Sequence, residues 1–85
     1  MDKKLVAIIE FFGPQRTIVG TNSITLTLTN HTTVADALNY VRKSYPSLTL
    51  NEKLLFAAVN HHVVPLETPL RANDRVSFIP AIGGG

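Results

Sequence analysis

One segment of this chain has the periodicity of an amphipathic helix, and it lies between segments that are patterned as strands. In HTTVADALNYVRKSYP, apolar residues recur at helical spacing and form one stripe. These residues are Val34, Leu38, Val41 and Tyr45. Thr33 is a suitable N-cap with Asp36 three residues later, and Pro46 disfavours helical geometry at the residue before it. Because one helix cannot cover two sheets, the pattern predicts a single mixed sheet with this helix on one face.

Two strand patterns precede the helix. Residues 5–12 (LVAIIEFF) are apolar at consecutive positions, which is typical of a strand covered on both faces, and Gly13-Pro14 ends the run. Residues 23–29 (SITLTLT) alternate between apolar and polar, which predicts a strand with one face in the core and one in water. We expect the connection between them, GPQRTIVGTN, to be a hairpin loop.

Three further strand patterns follow the helix. The predicted elements are a third strand at 54–59, a turn at His61-His62, a short fourth strand at 63–65, a turn at Asn73-Asp74 and a last strand at 75–79, which Pro80 ends. If the last strand returns beside the first, the two most apolar strands become central neighbours. The sequence therefore predicts an α+β protein with the β-grasp, or ubiquitin-like, arrangement: a mixed sheet of four to five strands and one main helix. We expect this domain to span residues 1–82, with a flexible glycine tail at 83–85.

Composition excludes several classes of function. The 85 residues are 45% hydrophobic and 16% charged, which suits one domain with one core. The net charge is only +2 and the basic residues are scattered, so no nucleic-acid-binding stripe is predicted. No apolar run approaches the roughly 20 residues of a membrane span. Cysteine is absent, which excludes disulfides and thiolate metal sites, and Glu10 interrupts the apolar run that could otherwise resemble a secretory signal. We expect a cytoplasmic protein.

Convergent catalytic groups are also missing from the pattern. The acidic residues form no obvious pair, and Asp36 and Asp74 have cap and turn roles. His61 and His62 are adjacent, so on a strand they would point to opposite faces, and no third metal ligand is near them in the sequence. His31 is expected in a solvated loop. The sequence predicts no bound metal or cofactor.

The segment SFIPAIGGG places three glycines directly after an apolar strand. Glycine has no Cβ, so residues 83–85 could pass through a channel too narrow for other residues. The carboxylate of Gly85 has no neighbouring side chain to hinder its reactions. An adenylating enzyme could couple that carboxylate to AMP, which sulfur or an amine could then displace. The alternative is a frayed terminus or an added segment with no role.

Several segments, in order and spacing, resemble one known family. They are EFFGPQR, TVADALNYVRKSYP, LLFAAVN, TPLRANDRVSFIP and the closing Gly84-Gly85. Together they resemble the small subunits of molybdopterin synthase, which are ubiquitin-like sulfur carriers. The resemblance implies that the Gly85 carboxylate, next to Gly84, is adenylated and converted to a thiocarboxylate. It would then donate sulfur to the pterin precursor in molybdenum cofactor biosynthesis. The chain would be a sulfur-donating subunit with no active site of its own.

The resemblance also implies partners and the residues that meet them. The expected partners are the large catalytic subunit of molybdopterin synthase, a ubiquitin-activating-like adenylyltransferase that uses ATP and magnesium (Mg), and a sulfur donor protein. The residues expected to contact partners are Phe12, Arg16, Val63, Ile79, Pro80 and Gly83. Gly83 replaces a residue that is usually bulkier in the family, which leaves open whether Gly84 or Gly85 is the biological terminus.

Two alternatives remain at this point. Similar carriers serve thiamine thiazole synthesis and some amino-acid or natural-product routes, with the same chemistry on another acceptor. A different class of function is a non-covalent β-grasp binding module, which would dock through its sheet and leave the tail idle.

Overall fold

Five strands form one mixed sheet in the order β2-β1-β5-β3-β4. The computed structural model describes residues 4–80, and the predicted tail at 83–85 lies outside the described residues. The elements are β1 (Val6–Glu10), α1 (Pro14–Val19), β2 (Ser23–Thr27), α2 (Val34–Ser44), a 3₁₀ turn (Glu52–Leu54), β3 (Leu55–Val59), β4 (His62–Val64) and β5 (Arg75–Pro80).

The last strand returns beside the first. β5 pairs parallel with β1, with Ile8 opposite Arg75 and Glu10 opposite Ser77, while every other neighbouring pair in the sheet is antiparallel. A parallel pair needs a long crossover between its strands, and the stretch between β1 and β5 supplies it with α2. The predicted β-grasp arrangement is confirmed.

Helix α2 begins at the predicted cap. The Thr33 backbone N–H donates to Asp36 Oδ2 at 2.8 Å, and the Asp36 backbone N–H donates to Thr33 Oγ1 at 3.4 Å, which completes a capping box. The predicted apolar stripe is buried against the sheet: Val34, Leu38 and Val41 are almost fully inaccessible to solvent. Tyr45 follows the helix and meets the ring of Phe11 edge to face, with the ring centroids 6.0 Å apart.

The first strand is covered on one face only. Ala7 and Ile9 are fully buried, whereas Val6, Ile8 and Glu10 between them are half-buried. The prediction of a strand covered on both faces was wrong, because α2 packs on one side of the sheet. The apolar residues on the other side of β1 face a surface that no helix covers.

The connection between β1 and β2 is a short helix, and the prediction of a hairpin loop was wrong. Pro14 begins α1, where its fixed φ suits the first turn and its missing N–H costs nothing. Gly20 ends the helix in the left-handed conformation (φ 84°), and its N–H donates to the Arg16 carbonyl at 2.8 Å. Six residues are too few to show a helical period in the sequence.

The β3–β4 turn consists of Asn60 and His61, so its predicted position at His61-His62 was wrong by one residue. Both have positive φ (52° and 72°), the geometry of the two-residue hairpin turn that matches strand twist. His62 belongs to β4. The turn before β5 is confirmed, since Asn73 adopts a left-handed φ of 68° and Asp74 Oδ2 accepts the Arg71 backbone N–H at 2.8 Å.

Candidate docking face and chain exit

The face of the sheet turned away from α2, called the open face below, carries a row of residues across all five strands. Directly paired residues place their side chains on the same face of a sheet. The strand register puts five residues in line: Ser23, Glu10, Ser77, Ala58 and Val63. The row is polar on β2, β1 and β5 and becomes apolar on β3 and β4. Below, the part of the open face around Ser23 and Glu10 is called its polar side, and the part on β3, β4 and the end of β5 is called its apolar side.

Three large apolar side chains lie exposed on the apolar side. Phe56 is directly opposite Ile79, and Val63 is one diagonal step from Phe56 on the next strand. Their exposed fractions are 53% for Phe56, 38% for Ile79 and 68% for Val63. Neighbouring exposed apolar groups of this size are typical of a surface that binds another protein.

Phe12 adds a fourth apolar side chain where β1 has ended. It is 45% exposed, and its backbone N–H donates to Gln15 Oε1 at 2.9 Å. Arg16 is exposed on α1, so its guanidinium is accessible beside this end of the sheet. Five of the residues predicted to meet partners lie among the described residues, and all are solvent-exposed: Phe12, Arg16, Val63, Ile79 and Pro80. Their role in binding stays a prediction.

Phe56 was not among the predicted contact residues. The segment LLFAAV is apolar at every position, so the sequence does not indicate which of its side chains faces the core. The pairing of β3 with β5 decides it, because that register places Phe56 beside Ile79 on the open face while Ala57 is buried beside Phe78.

The polar side of the open face has a shallow hollow of about 300 Å³. Glu10, Phe12, Arg16, Asn22 and His61 are among the residues that line it. Across the sheet, Arg75 Nη1 donates to Glu10 Oε2 at 3.1 Å. An exposed ion pair of this kind stabilises the fold little. It does place a positive charge beside the Glu10 carboxylate, and Arg16 is an exposed cation in the lining of the hollow.

The described part of β5 ends at Pro80, and this point is called the chain exit below. Pro80 lies between two apolar grooves of about 330 Å³ and 240 Å³. The larger groove runs between α1 and the loop after α2, and its apolar lining includes Phe12, Pro14, Ile18, Leu48, Leu50 and Pro80. The exit point of the chain is therefore bordered by apolar surface that continues to Phe12 on the open face.

Gln15 links the residues around the chain exit, called the exit corner below, by hydrogen bonds. Its side chain is buried, and Nε2 donates to the Phe78 carbonyl at 2.8 Å while Oε1 accepts the Phe12 N–H. One carboxamide thus links the end of β1 to the end of β5, two residues before the chain exit. Gln15 was not predicted to have a role, because a lone glutamine in a supposed loop gives no signal in the sequence.

The histidines within residues 4–80 are exposed, and no three His, Asp or Glu side chains there lie close enough to share a metal ion. Asp36 caps α2, and Asp74 accepts hydrogen bonds from the backbone N–H of Arg71 and from the Asn60 side chain. Neither helix of this part of the chain is long and apolar enough to cross a bilayer.

A β-grasp sheet with an exposed apolar open face beside the exit of its last strand defines a ubiquitin-like protein. Residues 9–85 match the model of the ThiS family, which covers most of the chain. The chain belongs to the ThiS family. The matched range includes Gly83, Gly84 and Gly85, which lie outside the described residues.

Similar proteins agree in sequence and in fold. The chain is 36% identical over 56 residues to the molybdopterin synthase sulfur carrier subunit of Mycobacterium tuberculosis, an alignment that covers 66% of this chain and 68% of that protein. A Haloferax volcanii protein known from its solution structure superposes with a TM-score of 0.81 at 26% identity, over 100% of this chain and 92% of that one. A chain of the complex of subunits 1 and 2 of the Helicobacter pylori molybdopterin-converting factor superposes with a TM-score of 0.62 at 23% identity, over 95% of this chain and 100% of that one.

Proposed function

We propose that this chain is the sulfur-carrier small subunit of a molybdopterin synthase. The observation that carries the proposal is the 36% identity to a protein named as that subunit, within a family match that extends to Gly85. The exposed apolar open face next to the chain exit supports it, since a carrier must dock on its partner while it extends its end into the partner's site.

Loading requires the Gly85 carboxylate to be activated, because a carboxylate resists nucleophilic attack. An adenylyltransferase similar to ubiquitin-activating enzymes, using ATP and magnesium, would join the carboxylate oxygen to the α-phosphorus and release pyrophosphate. Sulfur at the oxidation level of sulfide then attacks the carbonyl carbon. The carbon–oxygen bond to AMP breaks, AMP departs with that bonding pair, and a thiocarboxylate remains. A sulfur donor protein would supply the sulfide-level sulfur.

Delivery takes place on the large catalytic subunit. The thiocarboxylate sulfur attacks an electrophilic carbon of the pterin precursor, and an oxygen substituent of that carbon leaves with its bonding pair and takes up a proton. A thioester then joins the acyl carbon of Gly85 to the pterin through sulfur. Water then cleaves the bond between the acyl carbon and sulfur, which leaves the sulfur on the pterin and restores the Gly85 carboxylate. The general acids and bases for these proton transfers would belong to the large subunit.

The folded body decides which proteins receive the tail. Phe12, Phe56, Val63 and Ile79 would form the apolar centre of the interface with the large subunit, and Arg16 its charged edge. Pro80 and Gly83 would lie where the chain enters the partner. The Helicobacter pylori complex contains a chain of the same fold bound to a second subunit, which supports a large-subunit partner for this protein.

Loading is tested by intact-mass measurement of the purified protein after incubation with ATP, magnesium, sulfide and the adenylyltransferase from the same organism. We expect the mass to rise by the difference between a sulfur and an oxygen atom, with the change located on the last residue by fragmentation. A chain that lacks Gly85 is the matched control and should stay unchanged. A competent adenylyltransferase that leaves the full chain unmodified would contradict the proposal.

Transfer is tested separately with the loaded carrier, the large subunit and the pterin precursor. We expect the pterin to gain sulfur and the carrier to return to its original mass. Transfer to the thiazole-forming machinery of thiamine synthesis, with none to the pterin, would keep the carrier chemistry and overturn the assignment to molybdopterin.

A further inference from the structure

The backbone hydrogen bonds between β1 and β5 end one bond before the register of the two strands requires. The Ile8 N–H donates to the Asp74 carbonyl at 2.8 Å, and in a parallel ladder every second N–H of a strand bonds to the same neighbour. Each further bond of this kind lies two residues later on both strands. The second one after the Ile8 bond would join the Phe12 N–H to the Phe78 carbonyl. Pairing in the parallel register is observed only as far as Glu10 and Ser77.

The side chain of Gln15 takes the place of this missing backbone hydrogen bond. The Phe12 N–H donates to Gln15 Oε1 at 2.9 Å, and Gln15 Nε2 donates to the Phe78 carbonyl at 2.8 Å. A carboxamide has the donor and acceptor of a peptide group, so it satisfies both backbone atoms that would otherwise have bonded each other. Gln15 is only 6% exposed, so water cannot readily replace it in this position.

The inserted carboxamide separates the ends of β1 and β5. The larger apolar groove opens at this place, with Phe12 and Gln15 in its lining and Pro80 on the β5 side. Pro80 is two residues after Phe78, so the spacing set by Gln15 is applied directly before the chain exit. Without the Gln15 carboxamide, the Phe12 N–H could bond directly to the Phe78 carbonyl. That bond would draw Phe12 towards Pro80.

We propose that Gln15 is a positioning residue that fixes the direction in which the chain leaves β5 relative to the open face. On the proposed function, on which this inference rests, that direction decides whether the tail enters the partner's channel while the open face is docked. Gln15 touches neither the sulfur nor the pterin, and it acts through the positions of Phe12 and Pro80.

The functional test compares Gln15→Met with the wild type, since methionine has similar length but offers neither the amide donor nor its acceptor. Thr33→Ala is the control for stability: it removes the α2 cap and leaves every residue of the exit corner unchanged. Two quantities are measured: the Kd of the unloaded carrier for the large subunit, and the single-turnover rate constant for sulfur transfer at saturating large subunit.

We expect Gln15→Met to lower the transfer rate constant about ten- to a hundredfold, because a small misplacement of a reacting group has effects of that size. Its Kd should rise by a much smaller factor, since every docking side chain is retained and only Phe12 and Pro80 would shift. Thr33→Ala should change neither quantity. A transfer rate constant for Gln15→Met equal to that of Thr33→Ala would overturn the proposal, and so would a fall explained entirely by weaker binding.

A second measurement does not depend on the sulfur-carrier role. In Gln15→Ala, the Phe12 amide should bond directly to the Phe78 carbonyl, which NMR detects as a scalar coupling across the hydrogen bond. The nuclear Overhauser effect between the Phe12 ring and Pro80 should strengthen in the same variant. An unchanged Phe12–Pro80 effect would overturn the positioning role even if transfer fell. If the loaded wild type failed to transfer sulfur, the proposed function would fail, and this NMR experiment would still decide the role of Gln15.

Discussion

Phe56 is a large aromatic residue that lies exposed on the open face. The two residues that follow it in β3, Ala57 and Ala58, are buried, yet Phe56 leaves about half of its surface in water. Burying a phenylalanine is worth about 1.5–3 kcal/mol, so this exposure forgoes stabilisation that a partner could supply. Its position opposite Ile79 makes the pair the centre of the proposed interface.

Replacing Phe56 with alanine should separate binding from stability. We expect the Kd for the large subunit to rise at least about tenfold, since aromatic side chains at the centre of an interface often contribute 1–2 kcal/mol or more. The free energy of unfolding should change by less than about 1 kcal/mol, because Phe56 contributes little to the core. Calorimetry of binding and urea denaturation measure the two effects.

Leu5→Ala is the matched control for Phe56→Ala. Leu5 has the same exposed fraction, 53%, and lies just before the start of β1, whereas the proposed interface includes Phe12 beyond the end of that strand. It should leave the Kd unchanged. Equal losses of affinity in both variants would show that exposed apolar area in general, and not this part of the open face, drives binding.

Residue-level prediction from the sequence succeeded where local chemistry determines the outcome. Thr33 and Asp36 form the predicted capping box, and Asn73 takes the left-handed conformation expected of a turn asparagine. It failed for Gln15 and Phe56, whose environments depend on strands distant in the sequence. Gln15 reaches a carbonyl 63 residues away, a contact that no local pattern encodes.

At the scale of elements, α2 provides the largest part of the contact between the helical layer and the sheet. Its inward face consists of Val34, Ala37, Leu38 and Val41, all buried. α1 adds one buried side chain, Gln15, which is polar. The two helices therefore make different contacts. α2 covers the apolar core, and α1 contributes the Gln15 side chain that bonds to β5 near the chain exit.

Leu38→Ala should destabilise the fold by about 2–5 kcal/mol, because it removes a fully buried side chain and leaves a cavity under α2. Asn39→Ala, one residue further on the exposed side of the same helix, is the control. It should change the free energy of unfolding by no more than about 0.5 kcal/mol, and alanine's higher helix propensity favours a slight gain. Urea denaturation measures both, and a comparable loss in the two variants would contradict this description of the core.

The element pattern of the sequence predicted α2 and the strands to within one or two residues at most ends, because their periods of 3.6 and 2 extend over enough residues. α1 was missed for lack of length, although Pro14 and Gly20 mark its two ends. Leu54 was assigned to the third strand and lies in the 3₁₀ turn before it. The alternation of apolar and polar residues identifies the middle of an element more clearly than its ends.

For the whole molecule, the parallel pairing of β1 with β5 joins the beginning of the domain to its end. That pairing was expected from the apolar residues that both strands carry, since apolar strands are most stable in the middle of a sheet. It also places the chain exit next to Phe12, so the proposed partner-binding surface lies close to the last described residue of β5. Within the described residues, the buried core runs from Ala7 to Phe78 and ends before the chain exit.

This separation predicts that the body alone is an inhibitor. A chain of residues 1–80 keeps every core residue of the described part of the chain and the open face. We therefore expect it to fold with an unchanged midpoint of thermal unfolding and to compete with the loaded carrier for the large subunit. Because it lacks the glycines, it should donate no sulfur. In a single-turnover transfer assay, increasing amounts of this body should slow transfer by the loaded carrier. The same body with Phe56→Ala is the control and should compete at least about tenfold less well. Absent inhibition by both bodies would show that the tail determines binding. Equal inhibition by both would show that the body binds through a surface that does not include Phe56.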